Sequence, residues 1–452
     1  MATTLNPLRP VAGAPRPYHF PDFVRRQLPN GMTVWVVPLA SASMVNVHLL
    51  VDAGAAAEDE PHAGVAALTA QLLVTGTRRL DASAFAEATE RLGIEVSSES
   101  SWDSARAAFQ TLPEHTDAGI ALLAEMVREP RFDPTEFDRL KAERLADILQ
   151  ARADPGRLAD EMFLRHLFDA STPYRRLSAG TPESVGELSL DDVRAHHTTH
   201  WGPGTANLIV AGPVEPDTIV AAAERHLGDW SGGGPGHRTF ESRDAGDRRV
   251  VVIDRPESVQ TELRVGHVGI DRRSEHYFPA LVLGALLGGT FGSRLNTRLR
   301  EELGYTYGAR AGFDPRRAAG PFNASAAVQT EVTADALREM VEILTRMRDA
   351  APGEAELREV RDFLVGVFPL RFETTGGVAM AIEPLAVYGL PDDYWQTYRR
   401  QLEAVGTDDV LAGARDLLHP DRFLMVAVGD AAQIRNDLQA LDLGPISEPA
   451  AD

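Results

Sequence analysis

The chain has 452 residues, of which 44% are hydrophobic and 25% are charged, and this length is enough for two domains of about 200 residues each. A formal net charge of −21 disfavours binding to nucleic-acid backbones and favours basic partners or substrates. The absence of cysteine excludes disulfides and thiolate metal sites.

The sequence predicts no membrane span, because no run approaches about 18 uninterrupted apolar residues. The Pro-rich N-terminus, MATTLNPLRPVAGAPRPYHFP, has no apolar stretch of the kind found in a secretory signal. The lack of cysteine fits a reducing compartment. We therefore expect a cytoplasmic protein, with the periplasm as the alternative if a leader has been removed.

Apolar strand-like runs alternate with helical patterns along the chain. The first half contains the runs MTVWVV, VNVHLLV and ANLIVAG, with helices predicted at 63–74, 82–92, 114–127 and 135–152. A segment dense in Gly and charge, GDWSGGGPGHRTFESRDAGDRR, then predicts an exposed linker. The second half contains RVVVI, ELRVGHV and FLMVAVG, with helices predicted at 277–287, 334–347 and 354–367.

The two halves repeat each other. Asp-Asp-Val at 191–193 recurs at 408–410, and Pro203 recurs as Pro420, in both cases 217 residues later. Such a long period indicates a duplicated domain. We predict domains at 1–228 and 250–445, joined by a linker at 229–249. The order of elements favours an α+β fold in which each domain is a mainly antiparallel sheet with helices packed on one face.

Several segments resemble the insulinase/pitrilysin metallopeptidases, particularly the mitochondrial processing peptidase and its bacterial relatives. LPNGMTVWVV is similar to the first strand of that family, and VDAGAAAEDEPHAGVAALTAQLLVTGT is similar to the segment that carries the inverted zinc motif HxxEH. APGEAELREVRDFLVGVF and VYGLPDDYW resemble late helices of the second domain. The resemblance implies a peptide-hydrolysing zinc enzyme, or a subunit of one.

In active members two histidines at i and i+4 grip one zinc ion, the Glu between them acts as general base, and a distant carboxylate is the third ligand. The resemblance places the first His position on Ala67, the Glu on Ala70 and the second His on Gln71. It places the third ligand on Asp147 and an accompanying upstream Glu on Leu140. Two oxygen ligands without imidazole do not hold zinc tightly. We therefore predict a degenerate site with no metal in this chain.

The second half resembles the family differently. SRLNTRLREELGYTYGARAGF is similar to the segment that sends an Arg and a Tyr, seven residues apart, across the active-site cleft, and Arg300 and Tyr307 have that spacing. The resemblance implies that the Tyr hydroxyl stabilises the oxyanion and the Arg holds a substrate carbonyl. Tyr305 is the alternative if the register differs by two residues.

The leading hypothesis is a zinc-free subunit that contributes Arg300 and Tyr307 to a homologous HxxEH-bearing partner, which holds the zinc and hydrolyses peptides or unfolded proteins. In this family peptides bind by adding a strand to a sheet edge, and residues 93–109 occupy that place here. One alternative is a structural or peptide-binding homodimer without peptidase activity. Another is an enzyme with a relocated site around His196 and His200, which stand at i and i+4. We expect those two histidines to be packing residues.

Overall fold

A computed structural model describes residue 13 and residues 16–234 and 238–450. They form two consecutive α+β halves, each built on one six-stranded sheet. This confirms the predicted fold class. Most of the Pro-rich N-terminal segment, and residues 235–237 of the predicted linker, lie outside the described residues.

The first half spans six strands and eight α-helices within the described residues. The strands are β1 Val24–Gln27, β2 Thr33–Pro38, β3 Val45–Val51, β4 Glu95–Ser100, β5 Ala105–Thr111 and β6 Asn207–Gly212. The helices are α1 Val65–Leu73, α2 Ala82–Arg91, α3 Thr116–Arg128, α4 Pro134–Ala153, α5 Pro155–Leu167, α6 Pro182–Glu187, α7 Leu190–His200 and α8 Pro216–Leu227.

The second half follows the same plan. Its strands are β7 Arg249–Asp254, β8 Gln260–Val268, β9 Ala309–Phe313, β10 Pro321–Gln329, β11 Leu424–Gly429 and β12 Ile446–Ser447. Its α-helices are α9 Tyr277–Gly284, α10 Arg294–Asn296, α11 Thr333–Arg346, α12 Glu354–Val367, α13 Thr375–Tyr388, α14 Tyr394–Ala404, α15 Thr407–Leu417 and α16 Ala431–Ala440. Two π-helical segments, Ala285–Gly289 and Thr297–Glu302, flank α10.

The two sheets have equivalent strand orders, β1-β2-β6-β3-β5-β4 and β12-β7-β11-β8-β10-β9. Strands β2 and β6 pair in parallel, as do their counterparts β7 and β11. Strand β12 also runs parallel to β7, and all other pairings are antiparallel. Five strands of the first sheet thus have equivalents in the second. The edge position beside them is held by β1, which precedes β2, in one sheet and by β12, which follows β11, in the other.

Each sheet is covered on both faces. Helices of the same half pack on one face, and a helix from the opposite half packs on the other: α5 lies on β8 and β11, and α13 lies on β3 and β6. We call α5 and α13 the exchanged helices. The residues beneath α5 include Ile253, Val426 and Val428. Those beneath α13 include Leu50 and Ile209.

An ion pair fixes each exchanged helix to the sheet that it crosses. Arg264 in β8 donates to Asp160 of α5 at 2.5 Å, and Arg106 in β5 donates to Glu383 of α13 at 2.9 Å. His48 in β3 also lies 2.7 Å from Glu383. Burial opposes ionisation of Glu383, but hydrogen bonding to His48 and the charge of Arg106 outweigh it and keep the pKa of this carboxyl below its usual value. The halves are therefore joined by charge as well as by apolar packing.

One helical stretch, Tyr277–Glu302, is long and apolar enough to cross a membrane by length and composition. However, 56% of its most apolar 18-residue stretch is buried inside the protein. Residues such as Leu283, Leu287 and Leu299 belong to the core of the second half. Its apolar character is thus accounted for by packing within the fold.

Candidate functional site

Helix α1, which carries the predicted zinc-motif positions, is enclosed by other elements of the first half. It packs against α4, α7, β4 and β5. Gln71 is its only residue that is not buried, and Ala67, one turn earlier, is 8% exposed. Ala70 is fully buried. The positions at i and i+4 therefore share the one face of α1 that approaches the surface, as the helical spacing predicts.

A buried carboxylate fixes the start of α1. Glu58 accepts hydrogen bonds from the backbone N–H groups of Gly64 and Ala66, at 3.1 and 2.7 Å, and pairs with Arg176 at 2.9 Å. Burial raises the pKa of Glu58 to about 7, although the Arg176 charge and both amides favour ionisation. Gly64 has φ +95°, and a Cβ there would lie 2.7 Å from the Ala179 carbonyl oxygen. Glycine is therefore required at this turn into the helix.

Asp147 on α4 does not point into the core that α4 shares with α1. Its side chain is exposed, whereas the next residue, Ile148, is buried with Leu68 and Leu72 of α1. Leu140, at the position of the accompanying Glu, is also buried in that core. The face of α4 that packs toward α1 is thus apolar.

These side chains do not fit a zinc ion. Ala67 and Ala70 present methyl groups, and the amide oxygen of Gln71 is buried without a hydrogen-bond partner. The pattern HxxEH occurs nowhere in the sequence. Among the described residues, no group of three or more His, Asp or Glu side chains could hold a metal ion. The face of α1 that approaches the surface is therefore unsuited to binding a metal ion.

The histidines of α7 are packed within the first half. The rings of His196 and His200 lie 4.6 Å apart, and burial lowers the pKa of His196 to about 3. His197 approaches the Val127 carbonyl oxygen at 2.8 Å and packs edge-on against Phe132. This environment fits packing residues, with burial lowering the pKa of His196 and of His197.

Arg300 lies on the second π-helical segment, at the surface of the second half. Its guanidinium is 4.8 Å from the centre of the Phe291 ring and 3.3 Å from Glu301, and its side chain is 39% exposed. Phe291, 66% exposed, lies in the loop between the two π-helical segments. The cation is thus held over an aromatic face and remains accessible to a partner.

Tyr307 follows in the loop that precedes β9 and is 91% exposed, so its hydroxyl is available to another molecule. Tyr305 packs against the core of the second half. Strand β9 begins only at Ala309, so Tyr305 and Tyr307 both lie in the loop that precedes it. The segment around Arg300 packs on α10 and α11, whereas α1 packs within the first half. The zinc-motif positions and the Arg300–Tyr307 pair therefore lie in different halves of the chain.

Strand β4 forms the outer edge of the first sheet and packs against α1. Its residues alternate between exposed and half-buried. Residues 93–109, predicted as a strand-like region, form the hairpin of β4 and β5 with a turn at 101–104. A strand edge beside α1 is suited to bind an extended peptide through backbone hydrogen bonds.

Sequence reasoning did not identify Glu58, Phe291 or Asn296, although each shapes these regions. Phe291 lies in the glycine-rich segment GGTFGS, and its aromatic ring in such a loop is the sequence feature that could have identified it. Glu58 and Asn296 act through hydrogen bonds to backbone groups of neighbouring loops and elements, and no sequence pattern reveals such contacts.

Comparison with known proteins identifies both halves. Residues 34–177 match the family described as "Insulinase (Peptidase family M16)", and residues 187–364 match "Peptidase M16 inactive domain". The protein named non-peptidase homolog YmxG of Helicobacter pylori is 26% identical over 80% of this chain and 84% of its own length. A protein of Mycobacterium tuberculosis, named as an uncharacterized zinc protease, is 26% identical over 87% of this chain and 90% of its own length.

A crystal structure described as a peptidase M16 inactive domain from Pseudomonas fluorescens superposes with a TM-score of 0.84 and 25% identity. The match covers 90% of this chain and 98% of that one. The two family matches leave only a short gap between them and name the same family. The chain therefore belongs to the insulinase family of peptidases, family M16.

Proposed function

We propose that this chain is the zinc-free subunit of a two-chain zinc peptidase. A homologous chain carries HxxEH, and this chain supplies Arg300, Tyr307 and half of the peptide chamber. The observation that carries the proposal is an asymmetry between the halves. Alanines and an amide fill the zinc-motif positions of α1, while Arg300 and Tyr307 remain accessible at the surface of the second half.

The chemistry divides accordingly. The Tyr307 hydroxyl donates a hydrogen bond to the oxyanion that forms when water attacks the scissile carbonyl. The Arg300 guanidinium holds a neighbouring carbonyl of the substrate, and its place over Phe291 keeps it oriented. The exposed edge of β4 offers backbone groups to an extended peptide, which suits substrates of varied sequence. The lack of cysteine fits a reducing compartment, so we propose that the complex is cytoplasmic.

The test is peptidase activity against a quenched, mixed-sequence peptide library. The chain is assayed alone and mixed with the HxxEH-bearing homologue from the same organism, with zinc supplied. We expect activity only in the mixture, lost with Arg300→Ala and reduced at least about ten-fold with Tyr307→Phe. Arg310→Ala, at an exposed position of β9, is the control and should keep full activity. Activity indifferent to both site substitutions would refute the proposal.

The second candidate function is a structural or peptide-binding homodimer without peptidase activity. The unpaired edge of β4 favours it, because peptide binding at a strand edge needs no catalytic residue. This candidate predicts binding of the library peptides by the chain alone and no gain of hydrolysis on mixing. Both candidates predict that the purified chain contains no zinc, whereas a relocated metal site at His196 and His200 predicts stoichiometric zinc.

A further inference from the structure

Asn296 connects the two loops that carry the predicted site. It is the last residue of α10 and is 8% exposed. Its Nδ2 donates to the Thr290 carbonyl oxygen at 3.1 Å and to Ser293 Oγ at 3.2 Å, and its Oδ1 accepts from the backbone N–H of Ala309 at 2.8 Å. One buried side chain thus makes three hydrogen bonds to two separate segments.

Each of the two segments adjoins a residue of the proposed site. The loop from Thr290 to Ser293 presents Phe291, the ring over which Arg300 lies. Ala309 is the first residue of β9 and follows Tyr307 by two residues. The Asn296 carboxamide therefore sets the distance between the Phe291 loop, over which Arg300 lies, and the start of β9, which follows Tyr307.

A carboxamide is needed for this arrangement, because it donates and accepts hydrogen bonds at opposite ends of one short side chain. A carboxylate at this position would still accept from Ala309 but would not donate to Thr290. Leu295 and Leu299, on either side, are fully buried, so the polar side chain at 296 is not explained by exposure to water. A buried polar group that is fully bonded holds its neighbours in one geometry.

We propose that Asn296 is a positioning residue for Arg300 and Tyr307, holding the Phe291 loop and the start of β9 at the separation at which both side chains face the partner subunit together. This inference rests on the proposed function. It assigns Asn296 no contact with substrate, and its effect passes entirely through the two loops.

The first test uses this chain alone and follows amide hydrogen exchange by mass spectrometry. In Asn296→Ala we expect exchange about five-fold faster in peptides covering 290–297 and 303–309, because the Ala309 amide and the Phe291 loop lose their partners. Peptides from the first half should be unchanged. Unchanged exchange in both segments would overturn the inference, whatever the activity of the complex.

The second test measures kcat and KM of the mixture with the HxxEH-bearing homologue. Asn296→Ala should lower kcat/KM at least about ten-fold. Asn296→Asp keeps the acceptor for Ala309 and loses the donors to the Phe291 loop, so KM should rise while kcat stays within about two-fold of the wild type. If Asn296→Asp fails to fold, Asn296→Ala alone decides the outcome.

The matched control is Asn30→Ala. Asn30 also makes three hydrogen bonds, to the carbonyl oxygens of Leu227 and Trp230 and from the N–H of Met32, but it lies in the first half. Its loss should leave kcat and KM unchanged. Equal kinetics for Asn296→Ala and Asn30→Ala in an active mixture would overturn the inference. An inactive wild-type mixture refutes the proposed function itself, and it is recognised without any Asn296 variant.

Discussion

His267 in β8 is a neutral histidine enclosed by aromatic rings. Phe322 and Phe423 stack on it with ring centres 5.2 and 5.8 Å away, and its Nδ1–H donates to the Val268 carbonyl oxygen at 2.8 Å. Its Nε2 is buried without a partner. Burial is the main reason that its pKa falls to about 4; the hydrogen bond to Val268 opposes the shift, and the nearby His419 adds to it.

This histidine makes the fold sensitive to acid. Its pKa is lower when folded than in the unfolded chain, where it is about 6.5, so its contribution is present above pH 6.5 and is lost as the pH falls toward 4. Between pH 7 and 5 the loss is about 2 kcal/mol. The free energy of unfolding, measured in urea, should fall by about 2 kcal/mol less for His267→Phe than for the wild type between pH 7 and 5.

The exposed His19 is the control for that measurement. Its side chain is 70% exposed, so His19→Phe removes a histidine without disturbing the core around His267. If His267→Phe and the wild type lost equal stability between pH 7 and 5, His267 would titrate alike in the folded and unfolded chains. That result would contradict its burial as a neutral ring.

At the scale of single residues, the sequence predicts which residues share a face of one helix better than it predicts which of them face a neighbouring helix. The spacing of Ala67 and Gln71 correctly placed both on one face of α1, because they belong to the same helix. The resemblance places the third-ligand position on Asp147, and the structure exposes this side chain while burying that of Ile148. Successive helical residues point about 100° apart, so an offset of one residue decides between core and solvent. Spacing along the chain does not resolve such an offset.

The start of α1 depends on Glu58, and this dependence is testable. Glu58→Ala would leave Arg176 buried without its carboxylate and remove the acceptor of two amides. We expect a loss of about 3 kcal/mol in the free energy of unfolding, measured in urea at pH 8. Glu58→Gln keeps an acceptor oxygen and should lose less than half as much.

Glu60 provides the comparison for Glu58. Its side chain is 79% exposed and lies 4.0 Å from Arg175, so this is a weak surface pair. Glu60→Ala should change stability by less than about 0.5 kcal/mol. Similar stabilities of Glu58→Ala and Glu60→Ala would show that the buried pair does not support α1.

Elements with strong local patterns were predicted well, and those set by distant contacts were not. The helix predicted at 354–367 is α12, and the run VNVHLLV is β3. The runs NLIVAG and LMVAVG are apolar without alternation, which is typical of strands buried on both faces. Which helix covers the second face depends on contacts more than a hundred residues away in the chain, and no local pattern specifies them. The π-helical segments likewise follow from tertiary packing.

At the scale of the whole molecule, the exchanged helices predict that the halves remain joined after the chain is cut. A protease site inserted near Gly232, in the exposed part of the linker, would leave α5 on β8 and β11 and α13 on β3 and β6. The cut chain should elute from a sizing column as one species of unchanged size. It should separate into two fragments only in denaturant.

The cut chain should also unfold in a single transition, because each half completes the core of the other. Two transitions, or two species eluting apart without denaturant, would show that each half is stable by itself. Arg264→Met combined with Glu383→Gln removes one partner from each ion pair that fixes an exchanged helix. In the cut chain this double variant should lower the denaturant concentration at which the fragments separate.

The exchange of helices has a consequence for how such a molecule is assembled. A single half on its own would leave one face of its sheet bare, with Leu50 and Ile209 uncovered in the first and Val426 and Val428 in the second. The smallest unit in which both sheets are covered therefore contains two halves that exchange a helix, as in a domain-swapped dimer. The linker makes that dimer independent of concentration by holding its partners at a high effective molarity. It also releases the two halves from symmetry, so that α1 carries Ala67, Ala70 and Gln71 while the opposite half carries Arg300 and Tyr307.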